Sequence, residues 1–233
     1  MKHPLTLWPR LLLLALLVWM GCSGDGNNNS GTQPEPSPPK VPEPLQVSVP
    51  AKAPLAVKSW SNQLTNFLLT SNGYLTLLQT GHPVQQGEFW VWNLQVQQLS
   101  VVVKAKILDN NQVSWQVIFN GSSDSTTYNN WTAVQGTTSV DGSEGTLQFF
   151  ETNTTTLAAT LSWTRHPDGR LEITYTIAST GMVFTYVEMS SGTTELKATD
   201  SLGRVRFQAQ WTATGGWWKE FDENGNVIDQ GNW

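Results

Sequence analysis

The chain has 233 residues, a formal net charge of −5 and a charged fraction of only 13%. Removing residues 1–21 takes away Lys2 and Arg10, which leaves 11 basic against 18 acidic side chains, a net of −7. Such a field repels a phosphate backbone, so we expect no nucleic-acid binding. The length allows one or two domains, and twelve Trp residues in a background of Thr, Ser, Val and Asn favour strands over helices.

The first 21 residues are typical of an export signal. Lys2 and Arg10 lie on the amino side of a run of ten apolar residues, 11–20. Ten residues span about 15 Å as a helix, roughly half of the hydrocarbon core of a bilayer. The run therefore predicts a cleavable signal peptide over residues 1–21 and not a spanning helix.

The sole cysteine directly follows this leader. Gly21 precedes Cys22, and a polar stretch starts at Ser23. The arrangement resembles the precursor of a bacterial lipoprotein, although Trp19 and Met20 stand where that family favours Leu and a small residue. The resemblance implies that Cys22 is acylated and becomes the first mature residue. In the family, Ser after the cysteine is associated with the outer membrane, so Ser23 implies an anchor there, with the domain periplasmic or surface-exposed.

Residues 22–57 combine the predicted lipidated cysteine with a Pro-, Gly- and Asn-rich tether. Eight of the twelve prolines fall between residues 23 and 56, and large apolar side chains are few. Such a stretch buries too little surface to offset its ordering entropy. We therefore predict a disordered spacer that holds a domain away from a membrane.

The remaining residues, 58–233, are predicted to form a single all-β domain. A short helix is expected first, capped by Ser61 and ended near Asn72-Gly73. Beyond residue 86 apolar and polar residues alternate, as in the "VVVKAKI" stretch at 101–107. This alternation predicts antiparallel hairpins with one face buried and the other exposed to solvent. Counting such runs gives roughly ten to twelve strands in a meander, closed as a barrel or folded into a two-sheet sandwich.

A repeated turn supports the hairpin pattern. Residues 200–211 and 222–233 share the pattern D-x-x-G-x-V-x5-W. Asp200 and Asp222 are expected to bond the backbone two residues on, and Gly203 and Gly225 to supply positive φ. The last residue, Trp233, is predicted to be a core residue on the closing strand.

Motifs for catalysis or metal binding are weak. His82 and His166 each precede proline and lie far apart, so we expect no zinc site, no metal and no cofactor. The "DENGNVID" stretch at 222–229 is better explained as a turn than as a calcium loop. Glu172 and Glu188 lie in neighbouring predicted strands and are the best carboxylate pair for a hydrolase. Glu172, however, falls on the polar face of its strand with Thr174 and Thr176, so a solvated strand face is the better explanation.

Tryptophan is the most informative residue type for function. Four Trp residues share a strand face with aliphatic residues and are predicted to be core: Trp115, Trp163, Trp211 and Trp233. Four more positions are candidates for a surface that stacks on sugar rings, beside Asn and Gln that bond hydroxyls: Trp90, Trp92, Trp131 and one of the Trp217/Trp218 pair.

Residues 128–151 and 161–175, rich in turn glycines and strand aromatics, resemble a group of uncharacterised bacterial surface lipoproteins. This resemblance implies an all-β lipoprotein and no activity. We therefore expect a non-enzymatic envelope protein that binds a ligand, with a glycan as the leading candidate. A structural or assembly partner in the envelope is the alternative, and a hydrolase is less favoured.

Overall fold

The described part of the chain contains one helix followed by a run of strands. The computed structural model describes residues 37–123 and 126–233. The elements within these ranges are α1 (Leu55–Thr80), β1 (Val84–Gln86), β2 (Phe89–Val96), β3 (Leu99–Ile107), β4 (Gln112–Ser123), β5 (Thr126–Ser139), β6 (Glu144–Phe150), β7 (Leu157–Arg165), β8 (Leu171–Ile177), β9 (Met182–Glu188), β10 (Thr194–Thr199), β11 (Val205–Trp211), β12 (Gly216–Phe221) and β13 (Val227–Asn232). The predicted signal peptide and Cys22 lie outside the described residues.

The strands form one sheet in chain order, β1 to β13, and every neighbouring pair is antiparallel. The predicted all-β antiparallel meander is confirmed. The sheet is not closed, because among the described strands β1 and β13 do not pair with each other and each has a partner on one side only. The architecture is therefore an open sheet with one helix, and its thirteen described strands slightly exceed the ten to twelve predicted.

Alternating burial confirms the period of two. Along β3 and β4 buried and half-buried residues alternate, with Val103 and Val113 fully buried. Three of the four Trp residues predicted to be core are at most 5% exposed: Trp115, Trp163 and Trp211. Trp233 is only partly buried against the core, and its backbone bonds Gly216 in both directions.

The helix is much longer than predicted. It covers 26 residues, and Ser61, the expected cap, lies fully buried in its interior. Asn72 and Gly73, the expected terminator, also lie inside the helix. The stronger signal is a stripe of buried residues spaced three and four apart, which marks one face of a long helix. The stripe consists of Val57, Ser61, Leu64, Leu68, Ser71 and Leu75.

The helix lies across the strands and not along them. Trp60, Phe67 and Tyr74 are seven residues apart and meet successive strands of the sheet. The ring pairs are Tyr74 with Phe119 and Phe149, Phe67 with Tyr175 and Phe184, and Trp60 with Phe184 and Phe207. Seven helical residues rise about 10.5 Å, close to the roughly 9.6 Å between strands two apart in a sheet. The contacts thus move from β4 and β6 at Tyr74 to β8 and β9 at Phe67, and on to β9 and β11 at Trp60.

The segment before the helix is packed, which corrects the predicted tether. The compact unit begins at Pro38, and Leu45 is 1% exposed. The backbone N–H and C=O of Leu45 bond the Asn72 side chain, at 2.9 and 2.7 Å. The Ser48 N–H also donates to the Tyr186 hydroxyl, at 3.1 Å. Residues 38–54 therefore belong to the domain, although proline-rich composition predicted disorder up to residue 57.

The repeated turns form as predicted. Asp200 Oδ1 accepts the Leu202 N–H at 3.0 Å, and Asp222 Oδ1 accepts the Asn224 N–H at 2.8 Å. Gly203 and Gly225 have φ of 75° and 84°. Both copies continue with the same register shift, between Ala198 and Thr199 in the β10–β11 ladder and between Glu220 and Phe221 in the β12–β13 ladder. They differ in burial, because Val205 is half-buried and Val227 is exposed.

Candidate binding surface

The two faces of the sheet separate the predicted Trp residues. We call the face that packs against α1 the inner face and the opposite one the outer face. Paired residues of an antiparallel sheet point to the same side. Trp90 pairs with buried Ala105, and Trp218 pairs with buried Ala209, so both lie on the inner face. Trp217, the neighbour of Trp218, therefore lies on the outer face.

Trp92 and Trp131 are also part of the inner-face core. Trp92 is 2% exposed, and its ring centroid lies 5.8 Å from that of Trp115. Trp131 is 8% exposed and stacks on Tyr128 at 5.5 Å. Neither offers a free ring face for a sugar. Of the five Trp residues proposed from the sequence, Trp217 alone lies on the outer face.

Hydrogen bonds fix the orientation of Trp217. Its indole N–H donates to Gln210 Oε1 on β11 at 3.1 Å, and the Gln210 amide donates to Glu195 Oε1 on β10 at 2.8 Å. These three side chains are consecutive partners in the sheet. The bonds run across three strands and hold the partly exposed indole in one position without a ligand.

Polar side chains surround this indole. A cleft of about 550 Å³ is lined by Trp217, Lys219, Gln230 and Asn232, together with Trp218 and Gly231. Lys219 and Gln230 continue an outer-face row that includes Lys197 and Gln208. The site thus combines the outer-face ring of Trp217 with the amides of Gln230 and Asn232 and the positive charge of Lys219. We call it the Trp217 platform.

The candidate hydrolase carboxylates do not meet. Glu188 pairs with the buried Leu171 and lies on the inner face, where its Oε2 accepts the Tyr186 hydroxyl at 3.1 Å. Glu172, next to Leu171, lies on the outer face and bonds Arg170 at 3.1 Å. The two acids lie on opposite faces of the sheet and cannot flank one scissile bond.

Buried tyrosines between α1 and the inner face are structural. Burial raises the pKa of Tyr74 to about 12 and that of Tyr186 to about 12, and it also raises the pKa of Tyr175. These hydroxyls therefore stay protonated at neutral pH. Tyr186 links the packed segment at Ser48 to Glu188 and so joins the chain before the helix to β9.

No group of three or more His, Cys, Asp or Glu side chains within the described ranges gathers as a metal ion would require. The calcium-like stretch at 222–229 forms a turn in which both Asp222 carboxylate oxygens already accept hydrogen bonds from Asn226, at 2.8 and 3.0 Å. These contacts lower the pKa of the Asp222 carboxyl, with the Asn226 side chain the largest cause.

Sequence reasoning missed a second cleft, of about 980 Å³, beside β5. Strand β5 has 14 residues, but β6 pairs only with residues 134–138, so none of the described strands pairs with the first half of β5 on that side. The available signal was the Asn129-Asn130 pair before Trp131, but the unequal strand lengths that open the cleft are not visible in a local pattern. Its lining is Thr127, Asn129, Asn130, Trp131, Thr132, Gln135, Phe150, Asn153, Thr154, Thr155 and Thr156.

Comparison with known proteins adds no relative. Neither a protein-family model nor a curated protein matches this chain. Among the described residues, no helix is both long enough and apolar enough to cross a bilayer.

Proposed function

We propose that this chain is a lipid-anchored protein of the bacterial cell envelope whose β domain binds glycans without catalysing a reaction. The observation that carries the binding proposal is the Trp217 platform. A partly exposed indole stands among polar side chains of the outer face, and hydrogen bonds to β11 and β10 fix its orientation.

The chemistry of the platform suits a sugar ring. The C–H face of a pyranose is apolar and stacks on an indole, while its hydroxyls need donors and acceptors at the rim. Gln230 and Asn232 supply both. Because the ring of Trp217 is already held, binding costs little ordering entropy at this side chain.

The anchor proposal rests on the sequence features around Cys22. Acylation there would hold the chain at the outer membrane, because two or more acyl chains anchor firmly where one binds only marginally. Since the domain begins at Pro38, residues 23–37 would form the spacer.

An assembly role in the envelope is the second candidate, favoured by the free edge of β13. Ile228 there is 64% exposed and Val227 45% exposed. An apolar strand edge is a docking point for another protein. A photoreactive residue at position 228 that captured one specific envelope protein in cells would favour this role. Catalysis is less favoured, because Glu172 and Glu188 lie on opposite faces.

Replacing Trp217 tests the binding proposal. We expect Trp217→Ala to weaken binding to a glycan found in a thermal-shift panel by about tenfold or more, since it removes the stacking surface. Trp217→Phe should retain part of the affinity. Phe89→Ala, which removes another half-buried outer-face ring at the opposite end of the sheet, is the matched control and should bind normally. Equal affinity of Trp217→Ala and the unmodified protein would refute the platform.

Mass spectrometry of protein expressed in a bacterial host tests the anchor. We expect the mature N-terminus to be Cys22 carrying fatty acids, and the Cys22→Ser chain to leave the membrane fraction. An uncut leader, or a mature terminus without acyl chains, would contradict the proposed localisation and leave the glycan proposal untouched.

A further inference from the structure

The cleft beside β5 is a built feature of the fold. The last β6 pairing on this side is Val134 with Phe149, after which the chain turns through residues 151–156 into β7. The first half of β5 therefore forms one wall, and this turn forms the other. Asn153 bridges the two walls, because its Nδ2 donates to the Thr127 carbonyl at 2.8 Å.

The walls carry amides, hydroxyls and aromatic rings. Among the described residues that line the cleft none is ionisable. The amides come from Asn129, Asn130, Asn153 and Gln135. Each amide both donates and accepts, as a sugar hydroxyl does, whereas a charged ligand would lose its hydration here without finding a counter-charge.

Trp131 supplies an independent observation. Trp131 is among the residues that line the cleft and is 8% exposed, and its indole N–H finds no acceptor among the described residues. Buried polar groups in folded proteins are nearly always paired. Because this nitrogen is itself buried, the acceptor that suits it is a small bridging water, which would link the indole to a ligand hydroxyl in the cleft.

Backbone geometry at the cleft also departs from a regular strand. Asn130 has a φ of 48° and Asn153 a φ of 59°. The register of the β4–β5 ladder shifts between Phe119 and Gly121, opposite this stretch of β5. The irregularity places two consecutive exposed amides, Asn129 and Asn130, at the mouth of the cleft.

We infer that this cleft is a second glycan-binding site, which takes an uncharged oligosaccharide. The inference rests on the proposed function and deepens it by naming the class of glycan that is bound. The side chains of Thr132 and Gln135 lie on the outer face, as Trp217 does. One long uncharged polysaccharide can therefore engage both sites, and the two contacts strengthen its binding through effective concentration.

Isothermal titration of the full chain with cellohexaose, chitohexaose and laminarihexaose tests this inference, with hexagalacturonate as the charged comparison. The Asn129→Ala/Thr155→Ala variant removes two exposed cleft groups that take part in no hydrogen bond among the described residues. Ser59→Ala/Asn62→Ala likewise removes one hydroxyl and one amide, from the exposed side of α1, and is the matched control.

We expect two binding sites per unmodified chain and per control variant, and one site per chain in both the cleft variant and Trp217→Ala. A single site lost in Trp217→Ala but unchanged in the cleft variant would overturn this inference and keep the proposed platform. A single site lost only in the cleft variant would keep the cleft and overturn the platform. Tighter binding of hexagalacturonate than of every neutral sugar would overturn the uncharged class, and no binding of any sugar would overturn both sites.

Discussion

At the scale of single residues, Asp and Ser side chains build the turns that connect the strands. Asp141, in the turn between β5 and β6, accepts the Ser139 hydroxyl at 2.6 Å, the Ser143 hydroxyl at 2.7 Å and the Ser143 N–H at 2.9 Å. These bonds, the one from the Ser139 hydroxyl first, lower the pKa of Asp141 from 3.8 to about 2. Asp200 follows the same rule, because the Arg204 side chain and nearby backbone N–H groups lower its pKa.

The depressed pKa of Asp141 predicts a pH dependence of folding. A carboxyl group whose pKa is lower in the folded state stabilises fully above its unfolded pKa of about 3.9, and this contribution is lost as the pH falls towards about 2. We expect the difference in unfolding free energy between the unmodified protein and Asp141→Asn to shrink between pH 4 and pH 2. Urea denaturation at several pH values measures it.

Ser139→Ala/Ser143→Ala keeps the carboxylate of Asp141 but removes the two hydroxyls that donate to it. We therefore expect the unfolding free energy of this variant to depend less on pH between pH 4 and pH 2. A stability difference for Asp141→Asn that stays constant from pH 7 to pH 2 would show that these hydrogen bonds do not set the titration.

At the scale of elements, the helix is the largest departure from the prediction. Local cap residues at Ser61 and Gly73 favoured a short helix, but the buried stripe continues from Val57 to Leu75. Tertiary burial overrides weak local stop signals in this way. The seven-residue spacing of Trp60, Phe67 and Tyr74 was present in the sequence and gains its meaning from the strand spacing beneath it.

Adjacent leucines on α1 test this packing. Leu68 is 1% exposed and faces the sheet, whereas Leu69 is 53% exposed. We expect Leu68→Ala to lower the free energy of unfolding by about 2–5 kcal/mol, because it leaves a cavity in the core. Leu69→Ala has the same chemistry and should cost less than about 0.5 kcal/mol. Equal losses in chemical denaturation would contradict the placement of the helix on the sheet.

The same distinction between local pattern and tertiary context explains the remaining differences. Alternation predicted which residues share a face, and Asp and Gly positions predicted the repeated turns. Alternation cannot say which face the helix covers, so Trp90, Trp92 and Trp218 entered the candidate surface although they pack inside. The alternation of Leu45, Val47 and Val49 was hidden by the surrounding prolines, which led to the wrong domain boundary.

At the scale of the whole molecule, the open sheet divides the protein into two chemically distinct sides. The inner face buries its aromatic residues against α1, and the outer face carries hydroxyl, amide and lysine side chains across consecutive strands. Trp217 is the large aromatic ring of the outer face that is locked by cross-strand hydrogen bonds. Trp217 is thus an ordered aromatic ring among polar side chains, and for this reason we assign its side chain to binding and not to packing.

The most direct test of glycan binding through Trp217 is the nuclear magnetic resonance spectrum of the indole N–H groups of the Cys22→Ser chain. Trp217→Phe identifies the Trp217 signal, and a neutral hexasaccharide selected by titration is then added. The account predicts that the Trp217 signal shifts in proportion to the bound fraction while the signal of Trp92, enclosed beside Trp115, stays in place. A bound sugar that leaves the Trp217 signal unmoved would contradict the account.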